Sequence, residues 1–304
     1  MKTLEPEPRM FPCKFLMPGK FIMYSLPLVA MFVAASTFAT GVPVKSRTCY
    51  EATFRVRVVK GITVEDLPQL AEIIPICASR SGFLGIGFSR VQWCFADSGG
   101  NVIPRPYEGA SPQILVSHEW QMCRYRFWTP EDAARFDIFP QAGRRGDKVE
   151  LADLDVREVP SPDTLNFNGD FSASADIPWG WQMVGSALFQ KLPSGRAVVN
   201  VVEDTARSDL FLVKPGMHFK VKACGSSPVL PDRYAAESTN LRIAFFSTFE
   251  EASTNRAAGD VVVALKGENS VAERSAIVPA GKNWARLSVW NGVLEKVEVT
   301  EEGK

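Results

Sequence analysis

The sequence predicts an all-β protein: two tandem jelly-roll β-sandwich modules following an N-terminal signal peptide or anchor helix. Three observations lead there. Short runs rich in Val, Ile, Phe and Trp alternate apolar with polar residues along most of the 304-residue chain. Turn signals such as Asp97-Ser98-Gly99-Gly100, Pro215-Gly216 and Asn291-Gly292 separate these runs. A motif order recurs in the two halves, which points to two modules of one architecture.

The N-terminal stretch carries Lys2, Arg9, Lys14 and Lys20, followed by an apolar run from Phe21 to Ala39 and no charge before Lys45. This is the layout of a signal peptide, ending in the small-x-small pattern Thr37-Phe38-Ala39, with Met17 a natural alternative start. The run is also long enough to span a bilayer as an uncleaved anchor, although Pro27, Ser36 and Thr37 favour cleavage. No lipobox precedes Cys49. The expected location is therefore secreted or cell envelope, with membrane contact only if the segment stays uncleaved. Residues 1–40 are assigned to this segment, 41–160 to a first β-sandwich that is a reduced jelly roll if it begins at cleavage, and 163–301 to a second module.

The first half reads as strands at 50–59, 83–97, 114–128, 135–140 and 149–159. The second reads as strands at 197–202, 210–213, 218–223, 241–246, 261–265, 284–290 and 293–300. Thr63 to Ile74 reads as a helix, with Thr63 and Asp66 as a capping box and Leu67, Leu70 and Ile74 on one face. Gly85-Ile86-Gly87 lies inside a strand pattern and marks a bulge rather than a phosphate loop. Two prolines in Val159-Pro160-Ser161-Pro162-Asp163 set the boundary between the halves. The proline-led turn at Pro130 that feeds Ala134-Arg135-Phe136 is echoed by the turn at Pro279 that feeds Ala285-Arg286-Leu287. Motif order places Tyr50 opposite Phe219, so that Phe21 to Ala39 falls where the first module's opening strands belong.

Lysine plus arginine equals aspartate plus glutamate at 34 each, so no net field steers the chain to nucleic acid or to an anionic surface. Past the N-terminal segment five cysteines remain, an odd number: Cys49, Cys77, Cys94, Cys123 and Cys224. In an oxidising compartment Cys94 with Cys123 is the first pair to try; buried free thiols on strands are the equal alternative.

Leu165-Asn166-Phe167-Asn168-Gly169-Asp170-Phe171, followed by Pro178-Trp179-Gly180-Trp181, resembles the opening of jelly-roll carbohydrate-binding modules of the CenC-like, galactose-binding-like kind. The resemblance continues through Lys214-Pro215-Gly216-Met217-His218-Phe219 and the Pro279 turn, and covers residues 163 to 300. It implies a non-catalytic module that binds a glycan or polysaccharide. Many such modules carry a structural calcium held by a Glu after the opening strand and an Asp on the last strand. Here Ser172 follows Phe171, and Glu295 with Lys296 stands at the second place, so that no cofactor is expected in the second half. Asp153 and Asp155 leave calcium open in the first half without supporting it.

Strand parity singles out two faces. On 120–128, Cys123, Tyr125 and Phe127 read as core, while Trp120, Met122, Arg124, Arg126 and Trp128 share the other side. On 284–290, Ala285, Leu287 and Val289 read as core, while Trp284, Arg286, Ser288 and Trp290 point away. Indole rings stack on sugar faces and guanidinium groups hydrogen-bond hydroxyls, so Trp120, Arg124, Arg126, Trp128, Trp284, Arg286 and Trp290 are the candidate carbohydrate-binding residues. The same composition also closes sandwich ends, with arginines lying over rings as cation–π partners. Trp179 and Trp181 either line a rim site or plug their own core.

Catalytic chemistry finds little footing. The two histidines, His118 and His218, fall in different halves, and no Gly-x-Ser-x-Gly elbow is present. Glu119, Glu250 and Glu251 are candidate glycosidase carboxylates by residue type alone. The reading is an exported, non-enzymatic glycan-binding tandem; the alternative is a structural or protein-interaction module of the cell envelope on the same scaffold.

Overall fold

A computed structural model describes residues 41–63, 89–104, 113–114, 117–160, 162–173, 179–183, 188–192, 195–200, 206–226, 239–254, 260–266, 270–290 and 292–303. Side chains are described for these except at 113–114, 183, 188–192, 196–200, 239, 253–254, 260 and 290. The expected export segment, Gly85 to Gly87 and all of the expected helix but Thr63 lie outside these residues. The described part is all-β apart from one turn of 3-10 helix at Glu251–Thr254.

In the first half, β1 (Val42–Pro43), β2 (Cys49–Lys60), β3 (Arg90–Ala96), β4 (Val102–Ile103), β5 (Gln113–Ile114), β6 (Gln121–Trp128), β7 (Arg135–Gln141) and β8 (Lys148–Glu158) make two antiparallel sheets. One has the order β1-β7-β3-β4 with β5 on β3; the other is β6-β2-β8. Alternation explains the layering. On β2, Ala52, Phe54, Val56 and Val58 are buried, while Glu51, Thr53, Arg55 and Arg57 turn outward. Each large apolar side chain withdrawn from water contributes about 1.5–3 kcal/mol.

In the second half, β9 (Trp181–Met183), β10 (Leu188–Leu192), β11 (Gly195–Asn200), β12 (Ala206–Ser208), β13 (Phe211–Leu212), β14 (His218–Ser226), β15 (Thr239–Phe246), β16 (Asp260–Leu265), β17 (Ser270–Ile277), β18 (Trp284–Trp290) and β19 (Gly292–Glu301) make two more. Their orders are β10-β11-β19-β14-β17 and β16-β15-β18-β12-β9, with β13 on β18. No strand pairing crosses Pro160 among the described residues, yet Phe38 to Lys304 forms one compact unit.

The strands that both halves share repeat the same pairing. Tyr50 pairs with Phe127 and Glu158, as Phe219 pairs with Ala276 and Glu301. The Val44 N–H donates to Ala134 O and the Thr129 N–H to Thr48 O, matched by Val213 to Asn283 and Val278 to Met217. By this register β6 corresponds to β17, and β7 to β18. Each last strand also carries one extra residue near the same place, as Thr53 pairs Asp155 but Arg55 pairs Ala152, and Cys224 pairs Lys296 but Gly225 pairs Leu294. The bulge keeps Leu151, Leu154 and Val156 on one face of β8, and Leu294, Val297 and Val299 on one face of β19. Among the described residues the first half has no counterpart of β9 to β12.

The Asn-Gly-x-Phe opening docks on β19. Asn166 donates Nδ2–H to Val297 O at 3.0 Å and accepts the Val299 N–H at 2.8 Å. The Gly169 carbonyl accepts the Val297 N–H at 2.8 Å, and a β-carbon at Gly169 would stand 1.8 Å from Val297 O. Only glycine fits so close an approach. Trp181 then packs on Phe171 in the second core and donates its indole N–H to Asn168 O. Trp179 does not plug its own half's core: it enters the first core against Phe54, Trp93 and Tyr125.

Several expectations change. The run 114–128 is two strands, β5 and β6, and β17 was not anticipated because Glu273 and Arg274 break its apolar alternation at a sheet edge. Cys94 and Cys123 are not bridged, since Cys94 lies on the outer side of β3 and Cys123 on the core side of β6. Burial pushes the thiols of Cys49 and Cys123 up to about 12.

Candidate functional site

The two faces singled out by parity are placed very differently. Ala285, Leu287 and Val289 fill the second core, as expected, but Trp284 and Arg286 on the opposite side of β18 are 0% and 2% exposed. The reason is position: β18 is central in its sheet, and its outer side packs against the first half. Trp284 meets Phe249 edge-on and donates its indole N–H to Glu131 in the Pro130 turn. Arg286 lies 5.2 Å over the Phe246 ring. These two side chains are therefore taken up inside the molecule rather than offered to a ligand, and the Trp290 side chain lies outside the described residues.

On β6 the core side of Cys123, Tyr125 and Phe127 is buried as parity requires. Its outer side divides in two. Arg126 donates Nη2–H to Thr164 O, Thr164 Oγ1 and Asn166 O at 3.0, 3.0 and 2.7 Å, and Trp128 donates Nε1–H to Leu165 O at 3.2 Å. Both side chains thus fasten the opening segment of the second half. Burial lowers the basicity of Arg126. Trp120, Met122 and Arg124, at the other end, stay open.

This open end belongs to the outer face of β6-β2-β8. Half-buried Trp120 lies beneath two guanidinium groups, Arg55 at 5.1 Å and Arg57 at 4.6 Å from the ring centroid. Each cation is itself held by a carboxylate. Arg55 pairs with Asp153, Arg57 with Glu150 at 2.7 Å, and Arg124 with Glu51 at 2.7 Å, while Lys148 shares Glu150 at 2.8 Å. Bonds from Lys148 and Arg57 hold the Glu150 carboxyl below the usual range. Met122 is 72% exposed beside them. The result is a sheet surface with one indole, an uncovered thioether and several ion-paired donors and acceptors, in which Arg55, Arg57, Arg124 and Lys148 face Asp153, Glu150 and Glu51.

Arg55, Arg57, Glu51 and Glu150 were not singled out from the sequence. Their signal is present in the sequence: the alternation that buries Phe54 and Val56 turns Glu51, Arg55 and Arg57 outward on β2, and Glu150 lies between Val149 and Leu151 on β8.

The carboxylate candidates do not converge. Glu119 is an exposed bend residue of the first half whose N–H donates to Ser117 Oγ, whereas Glu250 and Glu251 follow β15 in the second. Glu251 accepts the Ser247 N–H and faces Lys282 at 3.5 Å, and these contacts keep it ionised rather than a proton donor. Asp153 is committed to Arg55, and Asp155 to Arg157 at 2.9 Å. Among the described residues no three His, Cys, Asp or Glu side chains gather to hold a metal ion.

The fold and this face define a tandem β-sandwich protein with an aromatic and arginine-rich sheet surface. No family model and no curated protein matches the chain. Among solved structures it is similar to the tandem CBM22 domains of Paenibacillus barcinonensis Xyn10C, at 13% identity and TM-score 0.30, over 85% of this chain and 80% of that one. It is also similar to the CBM22-1–GH10 modules of Clostridium thermocellum xylanase 10B complexed with xylohexaose, at 13% identity and TM-score 0.32, over 46% and 28%. A third likeness is to the tandem CBM51 modules of a family 98 glycoside hydrolase from Streptococcus pneumoniae, at 10% identity and TM-score 0.22, over 86% and 80%. With overlaps this loose, no residue of those proteins is transferred to this chain.

Proposed function

We propose that this is an exported, non-catalytic glycan- or polysaccharide-binding protein, whose ligand lies on the outer face of β6-β2-β8. The observation that carries the reading is Trp120, half-buried under the guanidinium groups of Arg55 and Arg57 on a largely polar sheet face. A pyranose ring presents an apolar face and an equatorial belt of hydroxyls. Trp120 and Met122 supply apolar surface for the first, and Arg124, Arg57 and their paired carboxylates supply donors and acceptors for the second. Because the ion pairs fix those groups before a ligand arrives, little side-chain entropy is lost on binding. Location outside the cell or in its envelope follows from the export segment and suits such a ligand.

The test is a pull-down on insoluble polysaccharides together with a glycan array. Trp120→Ala should weaken binding about thirtyfold, as for a central aromatic anchor, while thermal unfolding stays near wild type. Binding by Trp120→Ala equal to that of the wild type would remove this face from the proposal.

A further inference from the structure

The internal repeat exposes a difference at the last strands. Along β19 the edge away from β14 is occupied: β11 pairs with Gly292 to Leu294, and the opening segment of the second half bonds to Val297 and Val299. Beneath this cover Leu294, Val297 and Val299 are 0–1% exposed. On β8 the equivalent residues Leu151, Leu154 and Val156 are only half-buried, and no strand pairs with that edge among the described residues. Both last strands carry a bulge, between Thr53 and Arg55 against β8 and between Cys224 and Gly225 against β19, and beyond it Ala52 pairs Val156 as Val221 pairs Val299, so the Val156 backbone groups stand where Val299 presents its own. An unpaired edge above a half-open apolar row is a template for one more strand.

We propose that the edge of β8 left unpaired among the described residues accepts an extended segment of a partner polypeptide, of the pattern apolar-Asn-apolar-x-Gly-basic. The second half shows why each place has its chemistry. The asparagine amide reads one carbonyl and one N–H two residues apart, as Asn166 reads Val297 and Val299. The glycine must approach the strand where no β-carbon fits, as Gly169 does. The last place follows from charge. In the second half Lys296 is raised above the usual lysine range by its bond to Glu298 and, further off, by Asp170 of the docked segment. The register that matches Val156 to Val299 puts Asp153 of β8, paired with Arg55 as Lys296 is with Glu298, where Lys296 stands, so a base in the segment at the place of Asp170 gives the second partner of opposite charge. Straight edge-to-edge pairing with a second copy is opposed by the bulge and by the exposed charges of Asp153, Asp155 and Arg157.

The experiment titrates the full chain with two labelled peptides, Thr-Leu-Asn-Phe-Asn-Gly-Lys-Phe and the same sequence with Asp in place of Lys, read by fluorescence anisotropy. The lysine peptide should bind about tenfold more tightly at low salt, and replacing its first Asn by Ala should abolish binding. In Asp153→Asn, which tolerates the left-handed φ of 53° at that residue, the two peptides should differ by less than about twofold. Val156→Pro should remove the outward N–H and with it the binding. No saturable binding of the lysine peptide overturns the proposal, as does equal binding of the alanine peptide. Concentration-dependent dimers in sedimentation that Val156→Pro abolishes would assign the edge to a second copy and overturn it equally.

Discussion

Trp120 and Trp284 look alike in the sequence, each set beside arginines on the side of a strand opposite its core residues, yet they serve opposite ends. Trp120 lies on an outer sheet face under Arg55 and Arg57, whereas Trp284 is sealed between the halves with its indole N–H on Glu131. Parity states which side of a strand a residue occupies. Whether that side meets water depends on what the sheet packs against, and the second half packs its outer face on the first. The repeat register sharpens the point, since β18 corresponds to β7 and not to β6.

The largest contrast is in stability. Trp284→Ala should cost about 3–5 kcal/mol by emptying a buried site, seen as a large drop in unfolding midpoint, while Trp120→Ala should cost less than about 1 kcal/mol. Similar losses for both would mean that the two environments are alike. Next comes alkaline pH, which acts on the first core. Cys49 and Cys123 are neutral in the fold with thiols raised to about 12, whereas the unfolded thiols ionise near 8.5. Their contribution is present below the unfolded value and is lost as pH climbs toward 12, by about 1–2 kcal/mol per thiol at pH 10. Urea unfolding of the Cys49→Ala, Cys123→Ala double variant should show a flatter decline from pH 8 to 10 than wild type; equal slopes would contradict it. Glu131→Ala leaves the Trp284 N–H unsatisfied and should cost about 1–2 kcal/mol in chemical unfolding. Smallest is Arg57→Ala, which breaks an exposed ion pair worth less than about 1 kcal/mol, yet it should weaken glycan capture in a pull-down.

Much of the fold was legible. The sequence reading of 284–290 coincides with β18, and those of β2, β8 and β19 fall within two residues, because apolar alternation is unbroken on β2 and β18 and is interrupted by one extra residue on β8 and β19. β17 escaped because its Ala-Glu-Arg-Ser core is that of a solvated edge strand. For the site, the buried and outward sides of β6 were correctly separated. What sequence alone did not give was coverage: Arg126 and Trp128 are used by Thr164 to Asn166, and Trp284 by Glu131, contacts spanning 37 to 153 residues. The arginines that do frame Trp120 come from β2, a neighbour known only once strands are paired.

The most direct measurement is fluorine NMR of the protein labelled with 5-fluorotryptophan and titrated with a captured glycan, each resonance assigned by single Trp→Phe variants. The Trp120 resonance should shift in proportion to bound ligand while those of Trp284 and Trp179 stay in place. A shift at Trp284 with Trp120 unmoved would contradict the placement of the binding face.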